Sequence, residues 1–216
     1  MGNGKLIVFE GVDFCGKTTQ LDFAEAFLKE KGQEVVRFRE PGGTKTGERI
    51  RELLLDKAQV EMRPMTEVLL FFASRVQLIE EKVLPAIEAG KTVLLDRYYY
   101  SSAAYQGPFL GTQQDGHFRP GWVLYIAERQ LRLPRPDLVI YLDGDPKKLA
   151  PRKSGERDRF EERGIEFQEA VRNAYLAMVD DIDGFRIVSA EQPIEKVRQQ
   201  IEEILGGMEE CQTSTV

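Results

Sequence analysis

The run Gly11-Val12-Asp13-Phe14-Cys15-Gly16-Lys17-Thr18-Thr19-Gln20 is led in by an apolar tetrad, Leu6-Ile7-Val8-Phe9, and led out by Leu21, Ala24, Phe27 and Leu28. The tetrad has the composition of a buried strand and the later residues the spacing of an amphipathic helix, so the run is the loop between them. Its pattern is G-x-x-x-x-G-K-T, a phosphate-binding loop, and each residue type has a physical task. Gly11 and Gly16 allow backbone conformations closed to residues with a Cβ, so that successive N–H groups converge on phosphate oxygens. The N-terminus of the following helix adds partial positive charge. Lys17 reaches the outer phosphates, and the Thr18 hydroxyl is placed to ligate Mg²⁺. Contacts to a nucleotide such as ATP are therefore expected from Gly11, Val12, Asp13, Phe14, Cys15, Gly16, Lys17, Thr18 and Thr19.

Outward from this loop the alternation of strand and helix repeats. Glu34 to Arg39, Thr92 to Asp96, Leu138 to Asp143 and Phe185 to Ser189 are strand candidates. Between them lie helical patterns over about Gly47 to Asp56 and about Met65 to Ala89, the second with a bend expected at Pro85. Such alternation implies α/β architecture: a five-stranded parallel sheet of the P-loop NTPase type with helices on both faces and ligands at the carboxyl ends of the strands. The 216 residues contain no Pro/Gly/Ser-rich linker and read as one domain. Glu40-Pro41-Gly42-Gly43-Thr44 is a turn by composition, residues 107–121 a surface excursion, and Gly206 to Val216 a disordered tail.

Composition removes several classes of function. With 30 Lys and Arg against 36 Asp and Glu, the net charge is -6, which argues against a nucleic-acid polymer as partner. A small anion needs only a local cluster of cations. Cys15 and Cys211 suggest neither a disulfide framework nor a metal site, and the single histidine, His117, lies in a polar loop, so zinc or histidine-base chemistry is not expected. No apolar run approaches the roughly 20 residues of a membrane span. Met1-Gly2-Asn3-Gly4 leads directly into a core strand rather than a signal peptide, and a cytoplasmic location with no membrane partner is expected.

The cations that do cluster fall where two polyanions would meet. Arg39, Arg75, Arg97, Arg157 and Arg159 stand at strand ends and in loops, which suggests two phosphorylated substrates. Asp96 closes a buried strand at the expected phosphate edge and there either holds Mg²⁺, directly or through water, or serves as a helix N-cap or partner for Arg97. Residues 150–164 carry Arg152, Lys153, Arg157, Arg159 and Arg163 around Gly155. That stretch is either a solvated charged face or, with its approach from about residue 146, a short basic lid that delivers arginines to the reacting phosphates. If the acceptor is a phosphate monoester, its attacking oxygen is already anionic, and a missing general base is no obstacle. Catalysis is then alignment and charge neutralisation.

The phosphate loop with its acid, Arg39-Glu40-Pro41-Gly42-Gly43-Thr44, Phe71-Phe72-Ala73-Ser74-Arg75, Asp96-Arg97-Tyr98, Ser101 to Gly107, Pro136-Asp137-Leu138 and Asp158-Arg159-Phe160-Glu161 follow one another in a specific order. In that ordered set, from Leu6 to Leu205, the chain resembles the thymidylate kinase family. The resemblance implies transfer of the γ-phosphoryl group from MgATP to dTMP, giving ADP and dTDP on the way to dTTP. It implies that Asp13 binds the 3′-hydroxyl of the acceptor, Phe71 stacks on thymine and Arg75 hydrogen-bonds a carbonyl of the base. The last two are four apart on a predicted helix and share a face, although Phe71 taken alone reads as core. By the same resemblance Arg97 clamps the acceptor phosphate with Arg39 nearby, Ser101 and Ser102 contact the base edge, and Tyr105 packs against the sugar and disfavours a 2′-hydroxyl.

Some members of that family carry a catalytic arginine directly after the loop acid. Here Phe14 stands there, and the chain is similar to the subgroup that supplies the arginine from the lid. Lys17, Arg97 and either Arg152 or Arg157 thus form the expected catalytic set, with Arg159 partly structural. Cys15, at a helix N-terminus, is expected to have a lowered thiol pKa. The resemblance also implies a homodimer, in which Val68, Leu69 and Leu70 serve either core or interface. Two other readings stay open on the residues alone. One is a kinase of another nucleoside monophosphate or of a nucleoside, the latter needing a base. The other is a nucleotide switch, although the chain has no Asn-Lys-x-Asp motif, and Asp181-Ile182-Asp183-Gly184 reads as a turn.

Overall fold

The computed structural model describes residues 4–59, 61–109, 120–153, 155–156, 158–179, 182 and 184–213. Arg157, His117, Asp181 and Asp183 lie outside the described residues. Five strands form one sheet in the order β2-β3-β1-β4-β5, with every neighbouring pair parallel. They are β1 (Lys5–Gly11), β2 (Val35–Arg39), β3 (Thr92–Asp96), β4 (Leu138–Asp143) and β5 (Phe185–Ser189). The three inner strands are apolar without alternation because both faces are covered, and Leu6 to Phe9, Val93 to Leu95 and Leu138 to Leu142 are all buried. The edge strands keep charge: Arg37 and Arg39 on β2, Arg186 on β5.

Register carries the site. Asp96 lies beside both Phe9 and Arg39, and Gly11 beside Leu142, so the carboxyl ends of β1 to β4 share one edge. The crossover helices α1 (Lys17–Glu30), α2 (Lys45–Leu55), α3 (Pro64–Leu78), α4 (Leu84–Glu88) and α5 (Tyr99–Tyr105) start from or return beneath that edge. Thr44 caps α2 by accepting the Gly47 N–H at 2.9 Å. Every residue of α5 is buried, which explains its Tyr, Ser and Ala composition. After it come α6 (Pro120–Tyr125), α7 (Pro146–Leu149), α8 (Gly164–Val179) and α9 (Ile194–Thr213).

Three sequence expectations change. The long helix is interrupted before Pro85 rather than bent at it: Ile79–Val83 forms a π turn, which accommodates the N–H that Pro85 lacks. The excursion expected over 107–121 has regular structure at both ends, since Gly107–Phe109 is a 3₁₀ turn and a helix begins at Pro120, while residues 110–119 lie outside the described residues. The tail expected to be disordered from Gly206 is helical through Thr213. Val197, Ile201, Leu205 and Met208 continue one apolar stripe onto the core and carry the helix across the two glycines. Among the described residues no helix is long and apolar enough to cross a membrane.

Candidate active site

The loop between β1 and α1 has the shape its glycines allow. Gly11 and Gly16 have φ of 154° and 90°. A Cβ on Gly11 would lie 2.6 Å from Cys15 Sγ and 2.8 Å from the Leu142 carbonyl oxygen, so only glycine fits. Phe14 also takes a positive φ, 64°, an uncommon state for a bulky side chain that the surrounding loop imposes. Lys17 folds over the loop and donates to the Gly11 and Val12 carbonyls at 3.1 and 3.2 Å. Val12 fills the core with its side chain. Cys15, expected to present an activated thiol, is instead 3% exposed and packed into the core beneath Gly11.

Beside the loop, Glu10 is fully buried and organises the start of α5. It accepts from the Tyr98 and Ser101 main-chain N–H groups at 2.8 and 3.2 Å, from Ser101 Oγ at 2.6 Å and from the Tyr175 hydroxyl at 2.7 Å. Burial pushes its carboxyl above the usual range. Arg97, at φ 68°, projects from this junction. It donates to Asp13 Oδ1 at 2.7 Å, to the Gly11 carbonyl at 3.0 Å and to Ser101 Oγ at 3.2 Å. Tyr105, whose phenol burial keeps neutral, donates to the same Asp13 oxygen at 2.9 Å. Asp13, Arg97, Ser101 and Tyr105 thus form one polar wall.

That wall bounds a small cavity closed on the other side by Phe71 and Phe160, whose rings meet edge to face at 5.7 Å. Ser102 also lines it, and its hydroxyl accepts from Arg75 at 3.1 Å. Arg75 lies behind Ser102 and Glu40, donating to Glu40 Oε2 at 2.6 Å and to the Tyr98 carbonyl at 3.1 Å. Its Nη1 and the Glu40 Oε1 are buried without a hydrogen-bond partner among the described residues. Burial raises the Glu40 carboxyl to about 7, against the downward pull of Arg75. The Ser101 hydroxyl is committed to Glu10, so of the two serines expected at a base edge only Ser102 has its hydroxyl turned to Arg75. Sequence reasoning missed Gln106, whose buried Oε1 has no partner among the described residues while its amide nitrogen donates to Glu67 at 3.0 Å. Its only sequence signal was its place next to Tyr105.

This cavity adjoins a cleft of about 790 Å³ lined by Lys17, Thr18, Arg39, Asp96 and Arg97. Asp13, Glu40, Arg51, Arg97 and Asp158 line both spaces and make them continuous. Arg51, also missed from sequence, donates to the Pro41 carbonyl at 3.0 Å, and burial lowers its pKa. Arg39 is more exposed and pairs with Glu48 at 3.2 Å. Asp96 Oδ1 is buried with no partner among the described residues. With the Thr18 hydroxyl on the same cleft, it supplies the oxygen donors that suit a hard divalent cation.

Lys17 and Thr18 connect this cleft to a third space of about 800 Å³ on the far side of the loop. Both large spaces have the size of small-molecule sites. The third is lined by Phe14 to Gln20, Ala190, Gln192 and Arg152. Arg152, expected at the transferring phosphoryl group, therefore faces the outer side of the loop, where its Nη1 donates to the Ala190 carbonyl at 3.0 Å. Arg159 and Arg163 both pair with buried Glu67, at 2.8 and 2.7 Å, and brace the segment against α3. Lys153 also approaches the loop: its Nζ lies 5.4 Å from the Phe14 ring centroid and 2.7 Å from Glu161.

Comparison with known proteins agrees with this geometry. The family model described as thymidylate kinase matches residues 9–201. A protein named thymidylate kinase from Thermoanaerobacter sp. (strain X514) is 42% identical over 204 residues, covering 94% of this chain and 97% of its own. The protein of that name from Caldanaerobacter subterraneus subsp. tengcongensis is 42% identical over 212 residues, covering 94% and 98%. A third, from Haemophilus ducreyi, is 40% identical over 203 residues, covering 93% and 92%. A loop, a wall and three joined spaces of this kind, with matches that span nearly the whole chain, lead to one assignment: the chain belongs to the thymidylate kinase family.

Proposed function

We propose that the protein transfers the γ-phosphoryl group of ATP to the 5′-phosphate of dTMP, yielding ADP and dTDP. The observation that carries this reading is the continuity of the three spaces, with the phosphate loop between the two outer ones and Arg97 and Lys17 facing the middle. The donor nucleoside belongs beside Thr19, Gln192 and Arg152, the phosphates across Lys17, and the thymine between Phe71, Phe160 and Ser102. Arg75 Nη1 and Gln106 Oε1 are then a donor and an acceptor of the kind a pyrimidine edge satisfies.

In the transfer, an anionic oxygen of the dTMP phosphate attacks Pγ while the bond from Pγ to the β-bridging oxygen breaks, its electron pair leaving on ADP. No proton moves. Lys17 and Arg97 hold the two phosphates in line and offset their repulsion, joined by Arg51 and Arg39 at the cleft wall. Thr18 and Asp96 would hold Mg²⁺, which supplies further neutralisation of the ATP phosphates. The lid contribution is assigned to residues 146–164, with Arg157 as its reaching arginine and Arg152 on the donor side. One domain, a cytoplasmic location and a homodimer complete the proposal; Leu69 on α3, 58% exposed beside buried Val68, supports an interface there.

A coupled assay of ADP formation tests the chemistry. Turnover with MgATP and dTMP, and none with thymidine, is expected. Equal turnover with thymidine would require a general base at the acceptor and would replace this reading with a nucleoside kinase.

A further inference from the structure

Gln168 stands in the second turn of α8, 155 residues from the loop, and is 7% exposed. Its side-chain amide makes both of its hydrogen bonds to one residue. Oε1 accepts from the Asp13 main-chain N–H at 3.3 Å, and Nε2 donates to Asp13 Oδ2 at 2.6 Å. The first bond fixes the second, because an N–H can be accepted only by the amide oxygen and so the NH₂ must face the carboxylate. The opposite carboxylate oxygen, Oδ1, takes Arg97 and Tyr105 at 2.7 and 2.9 Å. A carboxylate beside a guanidinium tends towards a two-oxygen fork with it. The Gln168 amide opposes that rotation and keeps Oδ2 away from Arg97, whose Nη groups donate instead to Asp13 Oδ1, the Gly11 carbonyl, Ser101 Oγ and the Tyr105 hydroxyl.

We infer that Gln168 is a positioning residue: it aims the Asp13 carboxylate at the 3′-hydroxyl of the acceptor nucleotide and thereby sets discrimination at that position. The inference rests on the reading of Asp13 as the partner of that hydroxyl. Gln168 also fastens the loop to the helix that follows the lid segment, since Asp13, Phe14, Glu161, Gly164 and Gln168 line one small cavity.

The test compares kcat/KM for dTMP and for 3′-deoxythymidine 5′-monophosphate in wild type, Asp13→Asn and Gln168→Met. Wild type should prefer dTMP, and Gln168→Met should cut that preference about tenfold, the scale of one hydrogen bond to a charged group, mainly through KM for dTMP. The KM for ATP should move less than that for dTMP, because Gln168 itself does not line the space proposed for the donor. Gln168→Glu, which sets two carboxylates face to face, should lower dTMP turnover further. If Asp13→Asn loses the preference while Gln168→Met keeps it, the inference is overturned and the Asp13 reading stands. If Asp13→Asn keeps it, both fall. Equal loss for the two acceptors in Gln168→Met would mean that Gln168 is only structural, and would also overturn the inference. Should Gln168→Met fail to fold, Gln168→Asn takes its place with the same expectation, since its amide is one methylene short of spanning both contacts.

Discussion

Glu40 and Arg75 are a fully buried pair that neither satisfies the other completely. One oxygen of Glu40 and one nitrogen of Arg75 stay unpaired among the described residues, and Glu40 lines the cavity beside Phe71. Burial sets the Glu40 carboxyl at about 7 in the fold against 4.5 when free. Folding therefore takes up a proton between those values. The stability this group contributes is fully present below pH 4.5 and is lost as pH rises to about 7, a loss of about 3 kcal/mol. Glu40→Gln lacks the titration, so urea melts should show the wild type losing about that much stability relative to the variant between pH 4.5 and pH 8. A difference that stays flat across the range would show that Glu40 is ionised throughout. At this scale the sequence announced residues whose type and spacing are tied to a motif, such as Gly11, Lys17 and Asp96. It concealed Arg51, Gln106 and Gln168, because a polar residue on a helix looks the same whether it faces water or a cavity.

Between elements, Glu67 on α3 is a shared anchor. Its carboxylate receives Arg159 and Arg163 from the basic segment and the Gln106 amide from the turn after α5. Three segments distant in sequence thus close on one buried anion. Glu67→Ala would leave two arginines facing a buried gap, and breaking a buried ion pair from one side costs about 3 to 5 kcal/mol. We expect a stability loss of that size in chemical denaturation, with faster proteolysis after the basic residues of 152–163. A loss below about 1 kcal/mol would mean that the arginines relax to water and that the brace is weak. The lid reading from sequence allowed Arg159 a structural share but did not single out Arg163, since a charge run does not reveal which members are anchored. Likewise the π turn before Pro85 and the helix through Gly206-Gly207 depend on packing into the core, which local propensity does not report.

For the molecule as a whole, the strand order and the β3-β1-β4 register put the phosphate loop at the centre of one sheet edge. The spaces proposed for donor and acceptor lie on either side of it. The parallel sheet with ligands at its carboxyl edge followed from the sequence because five strand candidates alternate with helices, whereas the strand order did not. What the sequence left open was how the spaces join, which is set by side chains such as Asp13 and Arg51 that line more than one of them. The central claim is that this edge holds ATP and dTMP together. It is tested most directly by steady-state kinetics with MgATP and a panel of dTMP, dUMP, dCMP and AMP under one coupled assay. The account predicts the highest kcat/KM for dTMP, with dUMP next and lower by about 5- to 150-fold, the worth of one methyl in an apolar pocket, and little turnover of dCMP or AMP. Preference for dCMP or AMP would contradict the assignment of Phe71, Arg75 and Gln106 to thymine.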